Sequence, residues 1–210
     1  MPKVVDHEER RKELAEAVWR IVLRDGVEHA SVRTVAAEAG WSTGSLRHYF
    51  PTQDALLRFA AELSADKVVA RLRQSLNEER GPRLVMRTVG LELLPLDEQR
   101  RAEIAVWLAF VDRARVDASL RAIERRINGE AVENYEKIFA WARDIRALRP
   151  GLEPRREARA FQALVDGLAV HALLRPHQYD NDVIVAILDD HLDRVFTEQD
   201  PEARGTAAGH

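Results

Sequence analysis

Apolar residues recur along this chain at intervals of three and four, and glycine, proline and capping residues interrupt them at spacings that predict about nine helices. The first spans roughly His7 to Asp25, with Leu14, Ala17, Val18, Ile21 and Val22 on one stripe and Gly26 ending it. Ser31 is placed to cap a second, whose Val32, Val35, Ala36 and Ala39 share a face, and Gly40 stops it because glycine takes positive φ without a Cβ clash. Trp41 can then tuck into the core as the chain turns. Ser42 caps a short third helix in which Leu46 and Phe50 point inward, while Thr43, Arg47 and, more obliquely, Gly44 and His48 look outward. After Pro51, Thr52 caps a fourth helix with Leu56, Leu57, Ala60 and Leu63 inward, running to about Leu76. Its length makes it a mechanical link between two halves of the chain.

The remaining pattern is longer in period. Residues 82 to 94 form a fifth helix ended by Pro95, and Asp97 caps a sixth that reaches about Arg113. A seventh runs from Asp117 to Arg146, with Ile123, Ile127, Val132, Tyr135, Ile138, Phe139 and Ala142 at packing positions. Pro150, Gly151 and Pro154 mark the clearest loop, and two richly apolar helices follow over about Arg155 to Leu174 and Asn181 to Phe196. From Glu198 the chain is polar and expected to be disordered. The pattern is all-α, read as three segments: a helix-turn-helix unit over 1–58, a helical body over 59–197, and the tail 198–210.

Composition narrows the function. A chain of 210 residues can bury about 70% of its unfolded surface. It has no cysteine, which excludes disulfides and thiolate metal sites and fits a reducing cytoplasm. The N-terminus is charged, and no run approaches the ~18 apolar residues of a membrane span, so the expected location is cytoplasmic with no anchor. Net charge is −3, and residues 1–58 hold nine Lys or Arg against nine Asp or Glu, so bulk charge gives no sign of nucleic acid. Locally the balance differs: within 31–53, Arg33 and Arg47 face only Glu38. No nucleophile, base and orienting acid come together, and no Gly-rich phosphate loop follows a strand. His171 and His177 lie six apart, a poor fit to one helix face, so neither an enzyme, a metal site nor a cofactor is expected.

The segment SVRTVAAEAGWSTGSLRHYF, Ser31 to Phe50, carries the clearest chemistry. Two short helices about a glycine turn form the arrangement in which the second enters the DNA major groove and the first lies across the backbone. Gly44 lets the backbone come close, the helix N-terminus favours a phosphate, and Arg47, like Arg33, has the fork geometry for guanine or phosphate.

These residues resemble the TetR (TetR/AcrR-type) transcriptional regulators. Val35, Ala36, Ala39, Gly40, Ser42, Gly44, Leu46, Tyr49, Phe50, Leu56 and Leu57 stand in register with that family's segment. Trp41, Arg47 and Gln53 depart from it, replacing a small aliphatic residue, an aromatic residue and a phosphate-holding lysine. The resemblance implies base contacts from Arg33, Thr43, Gly44, Ser45 and Arg47, with His48, Tyr49 and Gln53 on phosphates. Further on, the stretch EIAVWLAFVD from Glu103 to Asp112 is most similar to the regulators typified by BetI.

The same resemblance implies an effector pocket in the helical body, for which Met86, Val89, Trp107, Phe110, Tyr135 and Trp141 are the wall candidates. Glu103 and Asp112, close to Trp107, could face a cation there or simply be solvated. The last two helices have apolar stripes broader than one core needs, which predicts an antiparallel four-helix contact with a twin chain, the alternative being an ordinary buried helix pair. Phe161, Leu164, Leu168, Ala172, Ile184, Ile187, Leu188 and His191 are its candidates. Two recognition helices about 34 Å apart would read a palindromic operator. The resemblance, not the spacing, implies a homodimeric repressor released from double-stranded DNA by a small molecule. The rival is a helical dimeric interaction protein that keeps the helix-turn-helix only as a packing unit.

Overall fold

The computed structural model describes residues 7–75 and 81–197; the expected end of the fourth helix at Leu76 and the expected disordered tail lie outside them. Nine α-helices are described: α1 (His7–Asp25), α2 (Val32–Glu38), α3 (Thr43–Tyr49), α4 (Gln53–Ser75), α5 (Pro82–Glu92), α6 (Glu98–Ala114), α7 (Ala118–Asp144), α8 (Pro154–Leu174) and α9 (Asn181–Val195). A 3-10 turn over Val27–His29, which no periodicity foretells in so short a run, joins α1 to α2. The all-α class expected from the pattern holds, with no strand among the described residues beyond a lone antiparallel bridge between Leu148 and Phe196.

Local chemistry explains the boundaries. Ser31 accepts from the Thr34 N–H while its own N–H donates to Thr34 Oγ1 at 2.9 Å, a reciprocal cap that satisfies two otherwise orphaned donors. Asp97, Asp117, Glu153 and Asp180 accept first-turn N–H groups of α6, α7, α8 and α9 in the same manner. Gly40 sits at φ 71°, and behind it the Trp41 N–H donates to the Ala36 carbonyl at 2.7 Å, closing α2 with the paired bonds of a Schellman turn.

Three ends differ from the pattern. The Leu93 N–H turns back to the Gly90 carbonyl, so α5 closes at Glu92, ahead of Pro95. At the end of α7, Arg146 takes φ 61° and the Ala147 N–H reaches the Ala142 carbonyl, ending the helix at Asp144. Phe196 leaves α9 because the chain there pairs with the loop after α7, the Thr197 N–H donating to the Ala147 carbonyl at 2.8 Å.

Apolar burial falls into two clusters. One joins α1, α2, α3 and the first half of α4 to Ala102, Val106, Phe110 and Ala114 of α6 and Leu120 of α7. The other is built from α5, α7, α8 and α9 around Phe139, Phe161, Ile184 and Leu188. The helix-turn-helix therefore rests on α6 as well as on its own three helices. Gly90 sets how closely α5 meets α9: a Cβ there would lie 2.7 Å from Leu188 Cδ2.

Candidate nucleic-acid interface and effector cavity

The outward face of α3 is polar and open. Gly44, Ser45, Arg47 and His48 are exposed, Thr43 and Tyr49 are half-buried, and Leu46 is sealed into the core beneath them. Tyr49 is held by an edge-on contact with Trp41 at 5.7 Å between ring centroids, and Arg10 of α1 lies 5.2 Å from the Trp41 ring. The unusual tryptophan thus becomes a bracket between α1 and the end of α3. The Ser45 hydroxyl lies 2.8 Å from that of Ser42, which the cap also uses. Gln53 is exposed at the head of α4, and its side-chain amide donates to the Val27 carbonyl at 3.3 Å.

Electrostatics on this face follow from pairs made behind it. Arg20 Nε and Arg24 Nη2 of α1 bond the Glu38 carboxylate at 3.0 and 3.2 Å, and these two guanidinium groups hold the carboxyl below its ordinary range. The single acid near the reading face is thereby neutralised. Arg33 and Arg47 are both exposed and pair with no carboxylate among the described residues. A local positive face survives on a unit whose formal charge is balanced, as the short-range count of charges suggested.

A cavity of about 1170 Å³ opens between α4, α5, α6, α7 and α8. Three of the six predicted wall residues line it, Val89, Trp107 and Tyr135. The other three do not. Met86 and Phe110 are fully buried in the two apolar clusters, and Trp141 is exposed one turn beyond Ile138, past the last residue of α7 that lines the cavity. Apolar identity cannot separate a residue that faces a void from one that faces its neighbours, because both shed water. Missed altogether were Phe59 and Leu63 of α4 and the polar wall of Asn134, Gln162 and Asp166.

The cation site expected from Glu103 and Asp112 is not formed. Glu103 is buried and its carboxylate is occupied by Arg71 Nη1 and Nη2 at 3.2 and 2.9 Å and by the Gln99 amide at 2.9 Å. Asp112 points to solvent beside Arg115. Arg71 also bonds Glu92 at 2.6 Å, and Arg100 bonds Glu92 from the other side at 2.7 Å. Burial alone would push the Glu92 carboxyl up, but the guanidinium groups of Arg100 and Arg71 outweigh it and hold it below the ordinary range. This web ties α4 to α5 and α6. Asp54–Arg113 at 3.0 Å adds a second tie from α4 to α6, and Glu62–Arg126 at 3.9 Å adds one to α7.

Most of the predicted twin-chain contacts are used within the chain. Phe161, Leu168, Ala172, Ile184 and Leu188 are buried in its own second cluster and have no surface left for a partner. Leu164 and Ile187 are half-buried against that cluster. His191 is half-buried too; its Nε2 is enclosed without a hydrogen-bond partner among the described residues, and burial, then Arg194, holds the ring pKa down. Two helices packed on three others hide broad stripes without a second chain.

A family model described as the C-terminal part of BetI-type transcriptional repressors matches residues 82–197, more than half of the chain, and one described as bacterial regulatory proteins of the tetR family matches residues 15–59. The chain belongs to the TetR family. It is 37% identical over 209 residues to the HTH-type transcriptional regulator PksA of Bacillus subtilis, covering 97% of this chain and 98% of that one. Among solved structures it is similar to a transcriptional regulator from Rhodococcus sp. Rha1, at 31% identity and TM-score 0.77, covering 88% of this chain and 95% of the other. A regulator from Saccharomonospora viridis, solved in complex with choline, shares the fold at 19% identity and TM-score 0.83, covering 91% of this chain and all of its own. This TetR-family chain is a transcriptional regulator, not an enzyme. No described helix is long and apolar enough to cross a membrane.

Proposed function

We propose that this protein is a homodimeric repressor in the cytoplasm that occupies a palindromic operator and leaves it when a small molecule fills the cavity. One observation carries the reading: α4 contributes Phe59, Leu63, Val69 and Leu72 to the cavity wall while Leu56, Leu57 and Ala60 of the same helix are packed into the core beneath the helix-turn-helix. A ligand that favours a different tilt of α4 acts on the reading head without any further linkage. A coupling of about 1 to 3 kcal/mol between the two states is enough. That a regulator of this fold was solved in complex with choline supports a small-molecule effector.

In this reading residues 1–58 form the reading head and 59–197 the effector and dimer body. Arg33, Thr43, Gly44, Ser45 and Arg47 meet base edges, and His48, Tyr49 and Gln53 meet phosphates. The twin-chain contact uses what the core leaves on α8 and α9: Leu164, Gly167 and Leu174 on one, Val183, Ala186 and Ile187 on the other. Gly167 suits a close helix approach, since among the described residues nothing outside its own stretch of helix lies within 4 Å of a Cβ built there.

Selection of bound sequences from a random duplex library by the purified protein, at stated salt, tests this. Enrichment of a palindrome with major-groove half-sites is expected. No enrichment by protein shown to be folded and dimeric would leave the interaction protein as the reading.

A further inference from the structure

We propose that the cavity takes a protonated amine, an organic cation that carries N–H donors on an apolar body, and that the Asp166 carboxylate on α8 is the group that pairs with it. The proposal rests on reading the cavity as the effector site. Of the six acids on the cavity wall four already have cations: Glu62 and Glu130 share Arg126, Glu92 has Arg71 and Arg100, and Glu103 has Arg71, while Asp66 on α4 has no ion pair among the described residues and stands apart in sequence from the polar groups of α7 and α8. Asp166 has none, and it forms no hydrogen bond to another side chain among the described residues. Protein atoms crowd it enough that burial pushes its carboxyl up, although its free surface is large and turned to the cavity. A carboxylate partly desolvated and unpaired is less stable charged than one in open water, and a cation in the cavity offsets that cost.

Its neighbours select the kind of cation. Gln162, one turn before Asp166, donates its amide to Asn128 Oδ1 at 3.2 Å, which leaves the Gln162 carbonyl oxygen as an acceptor. The Tyr135 hydroxyl on α7 lies close enough to Asp166 for the carboxylate to add to burial in raising its pKa. A carboxylate, an amide carbonyl and a phenol oxygen form an acceptor-rich patch, complementary to N–H groups. A quaternary ammonium has no N–H to offer and is best held by aromatic faces. Here the other two aromatic rings on the wall, Phe59 and Trp107, belong to α4 and α6 and suit the apolar body instead.

The test measures binding to the full chain at neutral pH by calorimetry. Its probes are 2-phenylethylamine, its N,N,N-trimethyl derivative and the neutral 2-phenylethanol. The amine should bind roughly tenfold or more tighter than either of the others, as a charge-assisted hydrogen bond to a partly desolvated carboxylate requires. Asp166→Asn should abolish that preference, leave the affinity for the alcohol unchanged, and raise the melting temperature of the empty protein, whereas loss of a purely structural residue would lower it. Equal binding of amine and alcohol to the wild type, with the alcohol lost in a cavity-filling Ala131→Trp variant, would overturn the amine assignment and keep the cavity as the site. Trimethyl derivative bound as tightly as the amine would overturn it as well. Failure of all three probes to bind would overturn both the assignment and the effector-site reading.

Discussion

Replacing Arg71 by methionine removes the cation that joins α4 to α5 and α6 while keeping the length of the apolar stem. Breaking a buried ion pair by deleting one partner costs about 3 to 5 kcal/mol, because the remaining charge stays desolvated. Two features reduce that figure. Glu92 keeps Arg100 at 2.7 Å, so the loss falls on Glu103, which retains only the Gln99 amide; and the Arg71 side chain is 24% exposed, which admits some water to the gap. The expected destabilisation is therefore about 2 to 3 kcal/mol, or a fall of about 4 to 12 °C in melting temperature for a chain of this size. Urea and thermal unfolding at fixed protein concentration read it. Adding Glu103→Leu to Arg71→Met should recover most of the loss, since the stranded charge is gone. Acid gives a second readout. The Glu92 carboxyl is held below its ordinary range, so its stabilisation is complete above the carboxylate range and lost as pH falls through it; Arg71→Met should flatten that loss. Wild-type stability in Arg71→Met, or a double variant no better than the single, would refute the account of α4 as ionically clamped.

Two other perturbations test different layers. Arg47→Ala should leave the fold intact and weaken operator binding by about tenfold or more if the arginine reads a base edge; a uniform loss across sequences with a salt dependence shallower by about one unit would place it on a phosphate instead. Gly90→Ala should lower unfolding stability by about 1 to 3 kcal/mol, because its Cβ meets the fully buried Leu188 and neither α5 nor α9 can move away from the packed core.

Much of the fold was legible along the chain. The starts of α2, α3, α6, α7 and α9 sit at Ser31, Ser42, Asp97, Asp117 and Asp180, each a side chain able to satisfy orphaned N–H groups one turn ahead. Such signals act over three or four residues and need no partner, so they survive the loss of all tertiary information. The ends of α5 and α7 read less well, since tight turns and a left-handed Arg146 close them without glycine or proline at the last residue. The reading face was visible for the same local reason: once Leu46 and Phe50 point inward, the helical repeat turns Arg47 and His48 out.

The cavity was only half legible, and Glu103 and Asp166 show why. Along the chain Glu103, beside Trp107, could suit a cation or simply be solvated, and nothing singles out Asp166. Which of the two has a partner depends on Arg71, 32 residues before Glu103, while no ion pair reaches Asp166 among the described residues. The same holds for the apolar stripes of α8 and α9, whose breadth reflects packing inside one chain as much as any second one. The linear order of polar and apolar residues determined where helices begin, which side of each is apolar, and the turn that presents α3, because capping and periodicity are local. Tertiary structure decided which acids are neutralised, which apolar faces meet, and which carboxylates are left facing an empty space, because charge pairing and burial belong to residues far apart in the chain and close only in the fold.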